Sequence, residues 1–290
     1  MLVVRAGFWG MITLCWVSVF IPVLRSFSRY GKLASGAEVG NGRRAMKLFN
    51  HPALYIPSSL GFKLFYTWLL IFNSLLLVEV SYLSYSGKPL CILAILYAFD
   101  QPCSAQPQLE IHSLTVSVLL EFHAVRRVYE CWKVHRFSGT SMQHVTVSAG
   151  GIAFYILAAL SPLVDPGVIC PLVPRGKLWP LVPGILLFLV GSYHQHKCHK
   201  ILAQLRRGPE RRYGVPFGDW FQIVSCPHYL SEIIIYASFA VISETATQWV
   251  CVLWVASNLV ITGLRTHHWY IKKFPGYQSL GRKAIIPFLI

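Results

Sequence analysis

The chain has 290 residues, of which 54% are hydrophobic and only 13% charged, and its mean hydropathy is +0.51. Soluble domains carry about 25% charged residues, so a water-soluble globular protein is excluded and an all-α membrane bundle is expected, one membrane-embedded domain over residues 1–290. The formal net charge of +15 suits anionic lipid headgroups or a phosphorylated cofactor, and no nucleic-acid-binding module accompanies it.

Seven apolar stretches follow in chain order: Gly7–Leu24, Leu64–Tyr82, His112–Trp132, Val145–Leu163, Leu178–Tyr193, Tyr229–Ile242 and Trp249–Thr266. A helix crossing the hydrocarbon core takes roughly 20 residues, so the fifth and sixth are short spans. The first is long for a cleavable signal and reads as a retained anchor, its end broken by Pro22. Threaded alternately through a bilayer, the stretches leave every Lys and Arg on one face except Arg5, Lys88, Arg175 and Lys177. Basic loops remain cytosolic during insertion, which places the N-terminus on the non-cytosolic side and the C-terminus in the cytosol. The eight cysteines include no Cys-x-x-Cys, so neither a zinc ribbon nor a thioredoxin motif is signalled. Cys91, Cys103 and Cys170 fall on the non-cytosolic side, where a disulfide is open.

Ionisable groups at membrane depth mark function by default. Glu79 and Glu121 are such groups, each with an ordinary alternative as a helix-end residue or an interhelical partner. In the third stretch His123, Arg126 and Arg127 share one helical face at spacings of three and four. His196 and His199 have a spacing that one metal ion would accept, but no second histidine box accompanies them, so no metal is expected. Gly40-Asn-Gly-Arg-Arg-Ala45 has the letters of a dinucleotide fingerprint without the strand that should precede it. Arg126 and Arg206 stand at helix ends, and guanidinium groups bind phosphate bidentately. Arg211 and Arg212 read as a solvated loop. Glu232 suits an amide or ribose hydroxyl, or else caps the sixth helix. His267 and Tyr270 share a face, with aromatic packing as the alternative.

Several strings carry a family resemblance. They are Tyr193-His-Gln-His-Lys-Cys-His-Lys-Ile-Leu-Ala-Gln-Leu-Arg206, Val215-Pro-Phe-Gly-Asp-Trp-Phe221, Ser225-Cys-Pro-His-Tyr-Leu-Ser-Glu232, His267-His-Trp-Tyr270 and Arg282-Lys-Ala-Ile-Ile-Pro-Phe-Leu289, joined upstream by Arg29-Tyr-Gly-Lys32 and His123-Ala-Val-Arg-Arg-Val-Tyr-Glu130. With them the chain resembles the steroid 5α-reductase family, within it the polyprenol/polyprenal reductase branch of dolichol synthesis, which supports protein N-glycosylation. The resemblance implies a seven-helix enzyme of the endoplasmic reticulum membrane that binds NADPH from the cytosol. It puts Gln195, His199, Arg206, Tyr213, His228, Glu232, His267 and Tyr270 at cofactor contacts. Gln195 and His228 replace asparagines, His199 replaces an acid, and Gly214 stands where an arginine is common. The Gln-Glu pair of the steroid-reducing members is missing, and their catalytic tyrosine aligns with His123.

Hydride adds poorly to an isolated double bond but readily to the β-carbon of an enal, because the charge then falls on oxygen, where a donor stabilises it. The expected substrate is therefore the polyprenal aldehyde rather than the alcohol, with a long-chain isoprenoid tail in the lipid phase. His123 is the expected donor to the carbonyl, oriented by Arg126 or Glu121. A 3-oxo-Δ4-steroid reductase, an enoyl thioester reductase, a lipid-modifying methyltransferase and a non-enzymatic lipid-binding or transport protein are the competing readings.

Overall fold

The computed structural model describes residues 1–20, 51–98, 110–137, 141–165, 178–206 and 214–289. Where the seven apolar stretches are described, they are helical except at residues 161–163 and 178–180. The helices are α1 (Leu2–Phe20), α2 (Ser58–Ser86), α3 (Cys91–Ala98), α4 (Ile111–Tyr129), α5 (Val145–Leu160), α6 (Leu181–Gln204), α7 (Pro227–Ser243) and α8 (Ala246–Lys273). Among the described residues, three segments are long and apolar enough to cross a bilayer: Leu2–Val19, Ser58–Ser86 and Ala246–Lys273. The protein is thus a mostly helical membrane protein. Helices α4 and α6 have the length of a span, but the ionisable groups in their C-terminal halves lower their hydropathy.

Three local departures from the apolar pattern have physical causes. Helix α6 continues eleven residues beyond Tyr193, to Gln204, because its polar side chains find partners: His194 Nδ1 lies 2.9 Å from Asp219 Oδ1, and Gln195 and His199 meet carboxylates of neighbouring segments. The eight-residue α3 was not expected. Its first turn is capped by Glu79, whose carboxylate accepts from the backbone amides of Ile92 (3.0 Å) and Leu93 (2.7 Å). The all-α pattern is also broken by a two-stranded antiparallel ribbon of β1 (Tyr55–Pro57) and β2 (Met142–His144), which ties the entrance of α2 to that of α5.

The most extensive helix contact is between α6 and α7, and glycine makes it possible. A Cβ at Gly191 would sit 2.9 Å from Ile235 Cγ1 and 3.0 Å from the Ser231 carbonyl oxygen, and one at Gly184 would sit 2.2 Å from Ile242 Cγ1. Small residues that let backbones approach are a usual means of helix association in membranes, where no hydrophobic force acts between helices. Around this pair α2 packs on α4 and α5, and α1 packs on α8. At the end of the bundle where α1 and α8 begin, Arg5 Nη2 bonds Asp165 Oδ1 (2.5 Å), and the Asp165 carboxylate accepts from the Thr247 amide (3.1 Å). At the opposite end the C-terminal tail docks on the segment before α7: the Ser225 and Cys226 amides donate to the Lys283 and Ala284 carbonyls (2.8 and 3.0 Å). Six described cysteines, Cys91 included, form no disulfide. Cys103 and Cys170 lie outside the described residues.

Gly191→Leu is expected to destabilise the bundle by roughly 1–3 kcal/mol through overpacking. Thermal unfolding in detergent reads this as a lowered Tm; an unchanged Tm would show that α6 and α7 do not approach this closely.

Candidate active site

The ends of α4, α6 and α8 and the beginnings of α2 and α7 converge at one end of the bundle. There α4 runs into a wide π turn, Glu130–Val134, closed by a 2.7 Å bond from the His135 amide to the Glu130 carbonyl. Such turns are rare and often mark functional sites. Glu130 follows Arg126 by four residues and Arg127 by three, so all three face one way.

Glu130 is fully buried and both of its oxygens are engaged. Arg126 Nη1 donates to Oε1 (2.8 Å), which also lies 2.9 Å from His196 Nδ1. Arg127 Nη1 donates to Oε2, which His199 Nδ1 approaches at 2.7 Å. A second carboxylate completes the network. Glu232, on α7, accepts from the Gln195 amide group, whose oxygen accepts from Arg126 Nη2 at 2.5 Å. Arg127 Nη2 donates to the Tyr66 hydroxyl at 2.8 Å. Two guanidinium groups and two carboxylates thus balance in a site largely shielded from water. Glu130, His135 and His199 bring ligand atoms within 4.8 Å of one another, but the two guanidinium groups already on Glu130 oppose a metal cation there. Burial first, then the positive field of His199 and Arg127, pushes the His135 imidazole well below its ordinary pKa, so it stands neutral beside the cluster.

The network borders a cavity of about 490 Å3. Its polar part is lined by Arg127, Gln195, His199, Arg206, His228 and Glu232, and Tyr270 also reaches it. Its apolar part is lined by Phe65, Phe154, Tyr155, Tyr236 and Trp254. One chamber therefore joins a surface rich in hydrogen-bond donors to one rich in aromatic rings.

The residues expected from the sequence are distributed unevenly around this cavity. Gln195, His199, Arg206, His228, Glu232 and Tyr270 line it. Arg206 Nη1 also donates to the Arg136 carbonyl at 2.8 Å, and the Tyr270 ring stacks on Tyr277 with centroids 5.0 Å apart. His267 is not brought to the cavity wall: its Nδ1 lies 2.7 Å from Ser225 Oγ, which accepts from the Tyr277 hydroxyl at 2.7 Å. Tyr213 lies outside the described residues. Arg126 is in the network, though not on the wall. His123 is fully buried and off the wall; Arg126 approaches its Nδ1 at 3.2 Å, its Nε2 is 3.4 Å from Glu232 Oε1, and its ring stands edge-on to Tyr236. Glu121 is on another face of α4, where it accepts from Asn73 Nδ2 (2.7 Å) and Ser74 Oγ (2.5 Å) of α2. Reasoning from the sequence gave no role to Glu130, Tyr66 or Tyr236. The spacing of Glu130 from the paired arginines was the available signal for the first.

The chain is also similar to known proteins. A family model described as 3-oxo-5-alpha-steroid 4-dehydrogenase matches residues 174–290. A protein of Xenopus tropicalis named polyprenal reductase is 32% identical over 290 aligned residues, covering 94% of this chain and 90% of the relative. Proteins of the same name from Ailuropoda melanoleuca and Homo sapiens are 31% and 30% identical, over 90% and 92% of this chain and 84% and 86% of their own lengths.

Removing Glu130 alone leaves the buried Arg127 and the half-buried Arg126 guanidinium groups without their shared counter-charge, and breaking a buried pair in this way costs about 3–5 kcal/mol. Glu130→Leu and Arg127→Leu are each expected to lower Tm strongly, and the double variant by clearly less than their sum. Additive effects in this cycle would mean that the two residues do not interact.

Proposed function

The chain belongs to the 3-oxo-5-alpha-steroid 4-dehydrogenase family, in its polyprenal reductase branch, and we propose that it uses NADPH to reduce the conjugated double bond of polyprenal, yielding the saturated aldehyde of dolichol synthesis. The observation that carries this reading is the shared chamber. Its donor-rich part suits a phosphorylated, amide-bearing cofactor, and its aromatic part suits an isoprenoid.

The donor set fits NADPH. The Arg206 guanidinium presents the planar fork that phosphate oxygens accept, and His199, His228 and Tyr270 add further polar groups. Gln195 and Glu232 offer an acceptor pair for the amide or a ribose hydroxyl. Tyr213 belongs to this proposed set as well. Bound here, NADPH supplies the hydride. Arg126 and His123 act as positioning residues: Arg126 holds the Gln195 oxygen, and His123 faces the Glu232 carboxylate. His267 acts in the same way, through Ser225 and Tyr277 on the tail-docking segment. Glu121 fixes α4 against α2. The aromatic walls exclude water from the enal, which strengthens every polar contact made to its oxygen.

In this reading the seven apolar stretches all lie in the endoplasmic reticulum membrane, with the N-terminus lumenal and the C-terminus cytosolic. The polar end of the bundle then faces the cytosol, which carries the basic loops and where NADPH is drawn.

The test is turnover by purified protein in detergent with NADPH and, in parallel, polyprenal, polyprenol and a 3-oxo-Δ4 steroid. NADPH loss with saturated aldehyde as the product from polyprenal, and little reaction of the other two, is expected. Oxidation of NADPH with the steroid alone would move the chain to the steroid-reducing members of the family.

A further inference from the structure

Tyr236 has a hydroxyl that the fold leaves unused. The residue is 1% exposed and its ring is fixed by Phe154 (centroids 5.7 Å apart), Phe239 (5.5 Å) and the edge of His123 (6.1 Å). Its hydroxyl oxygen has no hydrogen-bond partner among the described residues, yet the residue lines the cavity. The neighbouring cavity tyrosines differ, since the hydroxyls of Tyr66 and Tyr155 interact with each other. A buried hydroxyl without a partner costs free energy, and a fold that needed only the ring would do better with phenylalanine. The hydroxyl is therefore poised for an atom of a ligand.

Its position narrows the choice of that atom. Glu232 lies one helical turn before Tyr236 on α7 and borders the polar part of the cavity, while Phe154 beside the ring belongs to the aromatic part. A ligand meeting Tyr236 thus carries a polar atom where its apolar chain begins. A phenol has a proton to donate, so that atom is an oxygen that accepts it.

Resting on the reading of the chain as a polyprenal reductase, we propose that the Tyr236 hydroxyl donates a hydrogen bond to the carbonyl oxygen of the enal and stabilises the enolate formed from it. Hydride from the nicotinamide donor forms the new C–H bond at the β-carbon. The pair of the carbon–carbon double bond shifts to the bond between the α-carbon and the carbonyl carbon, and the carbonyl π pair moves onto oxygen, toward the Tyr236 O–H. A proton from water then adds to the α-carbon, and the carbonyl double bond re-forms. Tyr236 keeps its own proton throughout, as a donor aimed where charge develops.

The test compares wild type with Tyr236→Phe in three readouts: turnover of polyprenal, the infrared carbonyl stretch of the bound saturated aldehyde, and Tm. Loss of one oxyanion donor lowers kcat by about 10²–10³-fold. The carbonyl stretch should rise toward its value in an apolar solvent, and Tm should be unchanged or higher, because no protein partner is lost. A variant with wild-type kcat and an unshifted carbonyl stretch, made from protein whose wild type does reduce polyprenal, overturns the Tyr236 assignment alone. So does a variant whose activity falls only together with its Tm. A wild-type protein that neither reduces polyprenal nor binds the aldehyde overturns the underlying reading, and the Tyr236 assignment with it.

Discussion

A carboxylate with no access to water survives only where opposite charge and hydrogen bonds replace its hydration, and Glu130 is such a group. It is fully buried, and groups from two helices surround it: Arg126 and Arg127 from α4, His196 and His199 from α6. The same arginines reach further, to Tyr66 on α2 and, through Gln195, to Glu232 on α7. Four helices are thereby held in one register at the polar end of the bundle. Hydrophobic attraction cannot do this in lipid, where every helix already has apolar neighbours. The polar network fixes the end where the cavity opens, and glycine-mediated contact between α6 and α7 fixes the apolar part below it.

The consequence is a chamber with two characters separated along α7 by one turn. At Glu232 the wall is polar and charge-balanced; at Tyr236 it is aromatic, with one spare hydroxyl. An enal needs the same sequence of environments: a hydride donor held by polar contacts, a hydrogen-bond donor at the carbonyl oxygen, and an apolar space for the chain. His123 stands behind this wall against both residues, which suits a side chain that sets the orientation of a carboxylate rather than one that meets the substrate.

Much of the fold was legible because apolar runs in a membrane protein have few alternatives to helix. The limits of that signal are equally physical. The extension of α6 beyond Tyr193 was hidden because His194, Gln195, His196 and His199 are polar, and only tertiary partners satisfy them. Six of the eight expected cofactor positions line one cavity, since the family strings fall on converging helix ends. Glu121 and His123 looked like neighbours in the sequence, but residues two apart on a helix point to opposite sides, and Glu121 meets α2 instead. Glu130 was inconspicuous at the end of an apolar stretch, and Tyr236 was hidden in the apolar run Ile233-Ile-Ile-Tyr236. Its significance lies in a missing partner, which no sequence pattern encodes.

The most direct measurement of the conjugate-reduction chemistry is the position of deuterium in the product. The protein would turn over polyprenal with NADPH carrying deuterium at its transferable position, in ordinary water, and again with unlabelled NADPH in heavy water. Conjugate reduction places the cofactor's deuterium on the β-carbon and the solvent's on the α-carbon, with the aldehyde retained. Deuterium from the cofactor on the carbonyl carbon, with the double bond intact, would contradict it and make the protein a carbonyl reductase instead.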